Sequence, residues 1–154
     1  MKSFKTKVVG ITREDEHGRN TQDSISLFLN NKKSYMGENL YKGLTNTEIL
    51  EKNIHVSEYD GMKFNGLLEQ GTFKNKPVLN VYLLDENKKT LLGYIPKRTV
   101  DSLNDFIADQ KYTVTLEFVG GNTKTVTWEN FDDDKVVIKS PIYKCNVTIE
   151  LEDE

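Results

Sequence analysis

Residues 81–97 read Val81-Tyr-Leu-Leu-Asp-Glu-Asn-Lys-Lys-Thr-Leu-Leu-Gly-Tyr-Ile-Pro96-Lys97. Two runs rich in aliphatic and aromatic side chains, 81–84 and 90–95, flank the polar run Asp85 to Lys89, the pattern of paired strands around a turn. Pro96 follows at once. A proline is tolerated at the first position of a helix, where its missing N–H has no partner to lose. Val100, Leu103, Phe106 and Ile107 then recur on one helical face. The stretch predicts strand, turn, strand and amphipathic helix in direct succession.

Toward the N-terminus, residues 4–12 have the β-branched, alternating character of a strand, and Gly10 within it marks a bulge or a close backbone approach. Thr21 is placed to cap a helix carrying Ile25, Phe28 and Leu29 on one face and ending near Asn30-Asn31. Residues 32–44 read as an extended loop in which Gly37 and Gly43 interrupt Tyr35, Met36, Leu40 and Tyr41. Such apolar loop residues either cover the core or form an exposed patch for a protein partner or a second copy of the chain. Thr45-Asn-Thr-Glu48 has the spacing of a capping box and predicts one or two helical turns through Ile49-Leu50. Residues 54–59, 62–68 and 77–84 are β-like, separated by Asp60-Gly61 and Gly71.

Toward the C-terminus, Tyr112, Val114, Leu116 and Phe118 alternate, and Val126-Trp128, Val136-Ile138 and residues 142–151 continue the pattern. Gly120-Gly121-Asn122 reads as a hairpin signal and Asp132-Asp-Asp134 as a solvated turn, giving three or four further antiparallel strands. No repeat, low-complexity segment or linker interrupts the 154 residues, a length suited to one domain with a single core. The expectation is a single domain over 1–154, with 111–154 a C-terminal β extension that enlarges or caps the sheet.

No run approaches the ~18 consecutive apolar residues of a membrane helix. The basic start, Met1-Lys-Ser-Phe-Lys-Thr-Lys, lacks the apolar stretch and cleavage site of a secretory signal. A cytoplasmic protein that contacts no membrane is expected. One cysteine, Cys145, excludes an internal disulfide and any zinc site built on two thiolates, and its place in an alternating run turns it inward. Residues 1–110 carry 16 Lys and Arg against 15 Asp and Glu, and 111–154 carry 5 against 9, so a strong nonspecific nucleic-acid binder is excluded. Any such binding is local, end-directed or weak.

Two short motifs carry a family resemblance. Lys7-Val8-Val9-Gly10-Ile11-Thr12 and Gly93-Tyr94-Ile95-Pro96-Lys97 resemble, in order and approximate spacing, the Val-x-Gly strand and the Gly-Tyr-Ile-Pro strand and helix of HIRAN domains. Val119-Gly120-Gly121 and Tyr143 to Ile149 are similar to the tail of small stand-alone bacterial members. The resemblance implies a mainly β fold, a HIRAN or OB-like small β-barrel with two or three short helices and additional C-terminal antiparallel strands. It also implies a noncatalytic nucleic-acid-binding module for single-stranded DNA or DNA 3′ ends, in which aromatic rings stack on bases and a few cations meet the backbone. Carried onto matching positions, Tyr94 and Lys97 approach the strand, Arg98 adds charge at the helix start, and Arg13, beside Thr12, contacts a phosphate. The chain departs from the family at its Asn-Pro-Tyr-Asp segment. Glu58-Tyr59-Asp60 keeps only fragments of the neighbouring motif, and Gly71-Thr-Phe-Lys-Asn-Lys-Pro77 stands in that place, with Phe73 and Asn75 as substitutes for stacking and hydroxyl recognition. The candidate nucleic-acid-binding set is therefore Arg13, Phe73, Asn75, Tyr94, Lys97 and Arg98. The alternative is a protein-interaction module, with a protein partner or as a homo-oligomer, that keeps the fold without DNA binding.

The residues point away from an enzyme. His17 and His55 have no serine, cysteine or carboxylate at a catalytic spacing. Asp132-Asp-Asp134 lacks the spaced ligands and glycine of a calcium loop. No glycine-rich phosphate loop is present, so no catalytic residue, metal site or cofactor is expected.

Overall fold

A computed structural model describes residues 2–11, 20–128 and 134–152, with the backbone alone at 33–39, Trp128 and Asp134. The chain runs β1 (Ser3–Lys7), α1 (Thr21–Met36), a 3₁₀ segment (Gly37–Gly43), α2 (Asn46–Lys52), β2 (Val56–Ser57), β3 (Phe64–Phe73), β4 (Lys76–Asp85) and β5 (Lys88–Tyr94). It continues as α3 (Lys97–Ile107), β6 (Tyr112–Val119), β7 (Thr123–Trp128), β8 (Asp134–Lys139) and β9 (Lys144–Leu151). The strands form a six-stranded antiparallel sheet in the order β1-β9-β6-β3-β4-β5 and a three-stranded one in the order β2-β7-β8. Mainly β, antiparallel architecture follows from the alternation in the sequence. On β6 and β9, Val114, Leu116, Phe118, Cys145, Val147, Ile149 and Leu151 are all buried, while the residues between them are more exposed. Ile25 and Leu29 of α1 and Leu103 of α3 complete that core.

β3, β4 and β5 are successive hairpins. Phe73 pairs with Lys76 across Lys74 and Asn75, both in the left-handed region (φ +51° and +64°), as a two-residue turn of type I′ sign requires. The register between β4 and β5 slips at one place: Val81 faces Gly93 and Tyr82 faces Leu91, leaving Leu92 between them. This bulge puts Leu92 and Gly93 both inside, where regular alternation would bury only one. Pro96 then caps α3 from just outside its first residue. The capping box at α2 forms as its spacing predicts, with the Glu48 N–H donating to Thr45 Oγ1 at 3.2 Å and the Thr45 N–H to Glu48 Oε1 at 3.1 Å.

One isolated bridge links the chain just beyond β1 to the end of β5. Beyond β1, Val9 forms an isolated antiparallel bridge with Tyr94, the Val9 N–H donating to the Tyr94 carbonyl at 2.9 Å and the Tyr94 N–H to the Val9 carbonyl at 3.0 Å. Val8 is meanwhile held to β9, its N–H donating to the Cys145 carbonyl at 3.0 Å. A Cβ on Gly93 would lie 2.2 Å from the Val9 carbonyl oxygen and 2.7 Å from Val8 Cγ1. The chain thus needs glycine there so that two backbones can cross. The two motifs that carry the family resemblance are in direct contact.

Several expectations are corrected. The first helix does not end near Asn30-Asn31; it runs to Met36 and passes into the 3₁₀ segment, so 32–44 is not an extended loop. The sequence reads as a break because asparagine favours helix ends. Contacts beyond the asparagines favour continuation: Lys32 reaches Asp85 of β4 at 2.8 Å and, one turn on from Phe28 in the same helix, lies over that ring. Gly71 does not separate strands, since β3 passes through it. The strand at 4–12 is regular only over Ser3–Lys7, and the one at 54–59 shrinks to Val56–Ser57. Gly120-Gly121 is not a hairpin tip: β6 and β7 belong to different sheets, and the glycines turn the corner between them at φ +89° and +65°. The strands of 111–154 do not simply enlarge or cap the sheet. β6 and β9 lie within it, and β7 and β8 join β2 in the second. The turn proposed at Asp132-Asp-Asp134 lies outside the described residues but for the backbone of Asp134.

Candidate nucleic-acid interface

Partners in an antiparallel ladder project to the same face, which allows the outer surface to be followed from strand to strand. On β3 to β5 the outward set is Glu69, Gly71 and Phe73, then Asn80 and Tyr82, then Tyr94 and Leu91. Phe73 and Tyr94, far apart in sequence, stack with ring centroids 6.1 Å apart and an interplanar angle of 27°. That separation lies in the range of favourable offset aromatic pairs. Phe73 is 36% exposed, and the Lys74 ammonium lies 5.4 Å from its ring centroid. Asn80 faces Tyr94 across the ladder, and its amide nitrogen is 2.4 Å from where a Cβ on Gly71 would sit. The absence of a side chain at Gly71 makes room for that amide. The result is an aromatic step with a carboxamide beside it and a cation at its rim.

The Val9–Tyr94 bridge extends this surface toward β1. Lys5, Lys7 and Val9 share an alternation, opposite to that of the buried Val8, and Val9 shares the face of Tyr94. Lys5 faces Thr148 and Lys7 faces Asn146, which in turn faces Glu117. Over these residues, at the start of α3, lies a groove of about 430 Å³ bordered by Lys5, Lys7, Arg98, Glu117, Asn146 and Thr148 among others. None of its three cations forms a salt bridge among the described residues.

Of the six residues marked from sequence, Phe73 and Tyr94 are brought into contact. Asn75 lies at the tip of the same hairpin, in the turn beside Lys74. Lys97 is the exposed first residue of α3, and Arg98 borders the groove. Arg13 lies outside the described residues, as do Thr12 and His17. Asn80, Lys74, Lys5 and Lys7 were not picked out from sequence. Lys74 lies in the hairpin turn beside Phe73, and Asn80 meets Tyr94 through the β4–β5 ladder, whereas Lys5 and Lys7 join that face through a bridge between residues more than 80 positions apart, which leaves no local mark.

A second polar cluster lies at the junction of the two sheets, well inside. Glu58 is only 4% exposed; Tyr41 donates to its Oε2 at 3.2 Å, and the Asn122 amide lies 3.5 Å from the same oxygen. The Glu58 N–H donates to the Asn122 carbonyl and the Tyr41 N–H to the Glu58 carbonyl. Burial, followed by the Glu58 charge and its hydrogen bond, pushes the Tyr41 hydroxyl up to about 12. The same causes push Tyr59 higher still, and burial raises Tyr143. Tyr41 ties the 3₁₀ segment to the buried carboxyl just beyond β2, and the Tyr59 hydroxyl donates to Asn30 Oδ1 of α1 at 3.4 Å. His55, which has no catalytic partner at a recognised spacing in sequence, lies with its Nδ1 against the Thr125 hydroxyl. Among the described residues no three His, Cys, Asp or Glu side chains gather as a metal group, and no helix is long and apolar enough to cross a membrane.

No family model, curated protein or solved structure matches this chain.

Proposed function

We propose that this chain is a HIRAN-like module whose sheet closes into a small barrel at the Val9–Tyr94 bridge and which binds single-stranded DNA, without catalysis, at its aromatic step. The observation that carries the reading is the exposed Phe73–Tyr94 stack at the junction of the two motifs, with Lys74 at its rim. Aromatic faces accept any base, and stacking contributes ~1–3 kcal/mol per base, so a small site binds without a basic surface. Asn75 and Asn80 supply amides for a terminal sugar hydroxyl, and Lys97 and Arg98 supply charge toward phosphates. The modest net charge of −3 fits a local site rather than a long electrostatic track.

Fluorescence anisotropy with short single strands ending in a 3′ hydroxyl or a 3′ phosphate tests this. The wild type is expected to prefer the hydroxyl end, and Phe73→Ala or Tyr94→Ala to weaken binding about tenfold or more. Tyr94→Phe, which keeps the ring, is expected to retain most of the affinity. Absence of binding at low salt, or indifference to loss of both rings, refutes the reading and leaves a protein-interaction module as the function to pursue.

A further inference from the structure

The groove over β1 and β9 has a composition that the aromatic step does not account for. Lys5 and Lys7 stand on alternate residues of β1, about 6.6 Å apart along the strand, and Arg98 approaches from α3. All three lack salt-bridge partners among the described residues. Neighbouring donors are neutral: the Asn146 amide and the Thr148 hydroxyl lie directly opposite the two lysines in the β1–β9 ladder. Three cations with no salt bridge to a described residue, set among hydroxyl and amide donors, make a surface suited to a multiply charged oxyanion. One carboxylate, Glu117, sits in the same wall two strands away and opposes that preference.

We propose that this groove is a phosphate-binding subsite and, resting on the single-strand reading of the aromatic step, that it takes the sugar-phosphate backbone of the strand whose bases stack on Phe73 and Tyr94. Continuity supports the assignment, because Lys5, Lys7, Val9, Tyr94 and Asn80 share one outer face through the Val9–Tyr94 bridge and the β4–β5 ladder. The step grips bases with little dependence on salt, and the groove supplies the salt-dependent part. Glu117 limits affinity, so its neutralisation is a gain-of-binding change.

The test uses the full chain, with octathymidylate as one probe and inorganic tripolyphosphate as another. Lys5→Gln and Lys7→Gln are each expected to lower the slope of log affinity against log salt by about 0.7, the value for one phosphate contact on a single strand. Glu117→Gln is expected to tighten binding about two- to threefold at low salt, a gain that misfolding cannot mimic. Phe73→Ala is expected to lose affinity while keeping the wild-type slope. Tripolyphosphate should shift the amide NMR signals of Thr6, Asn146 and Thr148. If octathymidylate binds and needs Phe73, yet the slope is unchanged in all three groove variants and tripolyphosphate shifts nothing, the groove is refuted and the aromatic reading stands. If tripolyphosphate shifts those amides but octathymidylate does not bind, the groove stands as a phosphate site and the single-strand reading falls. Silence from both probes overturns both.

Discussion

Replacing Gly93 with alanine tests the junction on which the architecture turns. The added methyl would lie 2.2 Å from the Val9 carbonyl oxygen, 2.7 Å from Val8 Cγ1 and 3.3 Å from the Val9 carbonyl carbon. Two of these three atoms are backbone, so no rotamer change relieves the overlap. The strand at Val8–Val9 must retreat by about 1 Å to reach ordinary contact, which breaks the two Val9–Tyr94 hydrogen bonds at a net cost of about 1 kcal/mol each. Residual overpacking adds about 1–3 kcal/mol. Restricting the unfolded backbone returns about 0.5–1 kcal/mol. The balance is a destabilisation of about 3 kcal/mol, which in a chain of this size lowers Tm by about 6–12 °C. Urea unfolding followed by circular dichroism measures the loss, and hydrogen exchange at the Val9 and Tyr94 amides locates it. Gly71→Ala is the control: its methyl meets only the end of the Asn80 side chain, which can swing away, and a loss under about 1 kcal/mol is expected. A Gly93→Ala protein as stable as the wild type, with both amides still protected, would refute the close crossing.

Two further outcomes follow from buried ionisable groups. Tyr41, Tyr59 and Tyr143 hold their protons more tightly in the folded chain than the ordinary value of 10.0, so their contribution is fully present below about pH 10 and is lost as pH rises through about 12 for Tyr41. Urea midpoints taken from pH 8 to 11.5, with tyrosinate absorbance as the second probe, should fall only above pH 10, and a flat profile there sinks the account. Burial pushes the Cys145 thiol up to about 12, and with 1% of the residue exposed it should react with aromatic disulfides at pH 8 only as fast as the protein opens. Rapid labelling of the folded protein would contradict the inward placement of β9.

What could be read from sequence divides by distance along the chain. The β4–β5 hairpin, α3 and the α2 capping box rest on residues within a few positions of one another, and their signals are visible in residues 45–50 and 81–107. The aromatic step was half legible: Phe73 and Tyr94 were each marked, but their contact depends on the pairing of β3, β4 and β5 through Gly71. Lys5 and Lys7 carry no local signal of a site, because nothing near them in sequence announces Arg98 or Asn146. The length of α1 was missed for a different reason. Asn30-Asn31 is a genuine local stop signal that is overridden by Lys32 reaching Asp85 on another element. The insertion of β9 between β1 and β6 is wholly nonlocal, and alternation in 142–151 gives the strand but not its neighbours.

That insertion sets the order in which the molecule can be built. Among the described residues β9 is the one strand that joins β1 to β6, pairing Ser3–Lys7 with residues 146–150 on one side and Tyr112–Val119 on the other. During synthesis the first strand therefore has no ladder partner until residues 144–151 have left the ribosome. Until then its alternating lysines, rather than any pairing, keep that unpaired edge from recruiting another chain. The β1 ladder can close only once β9 is available to it.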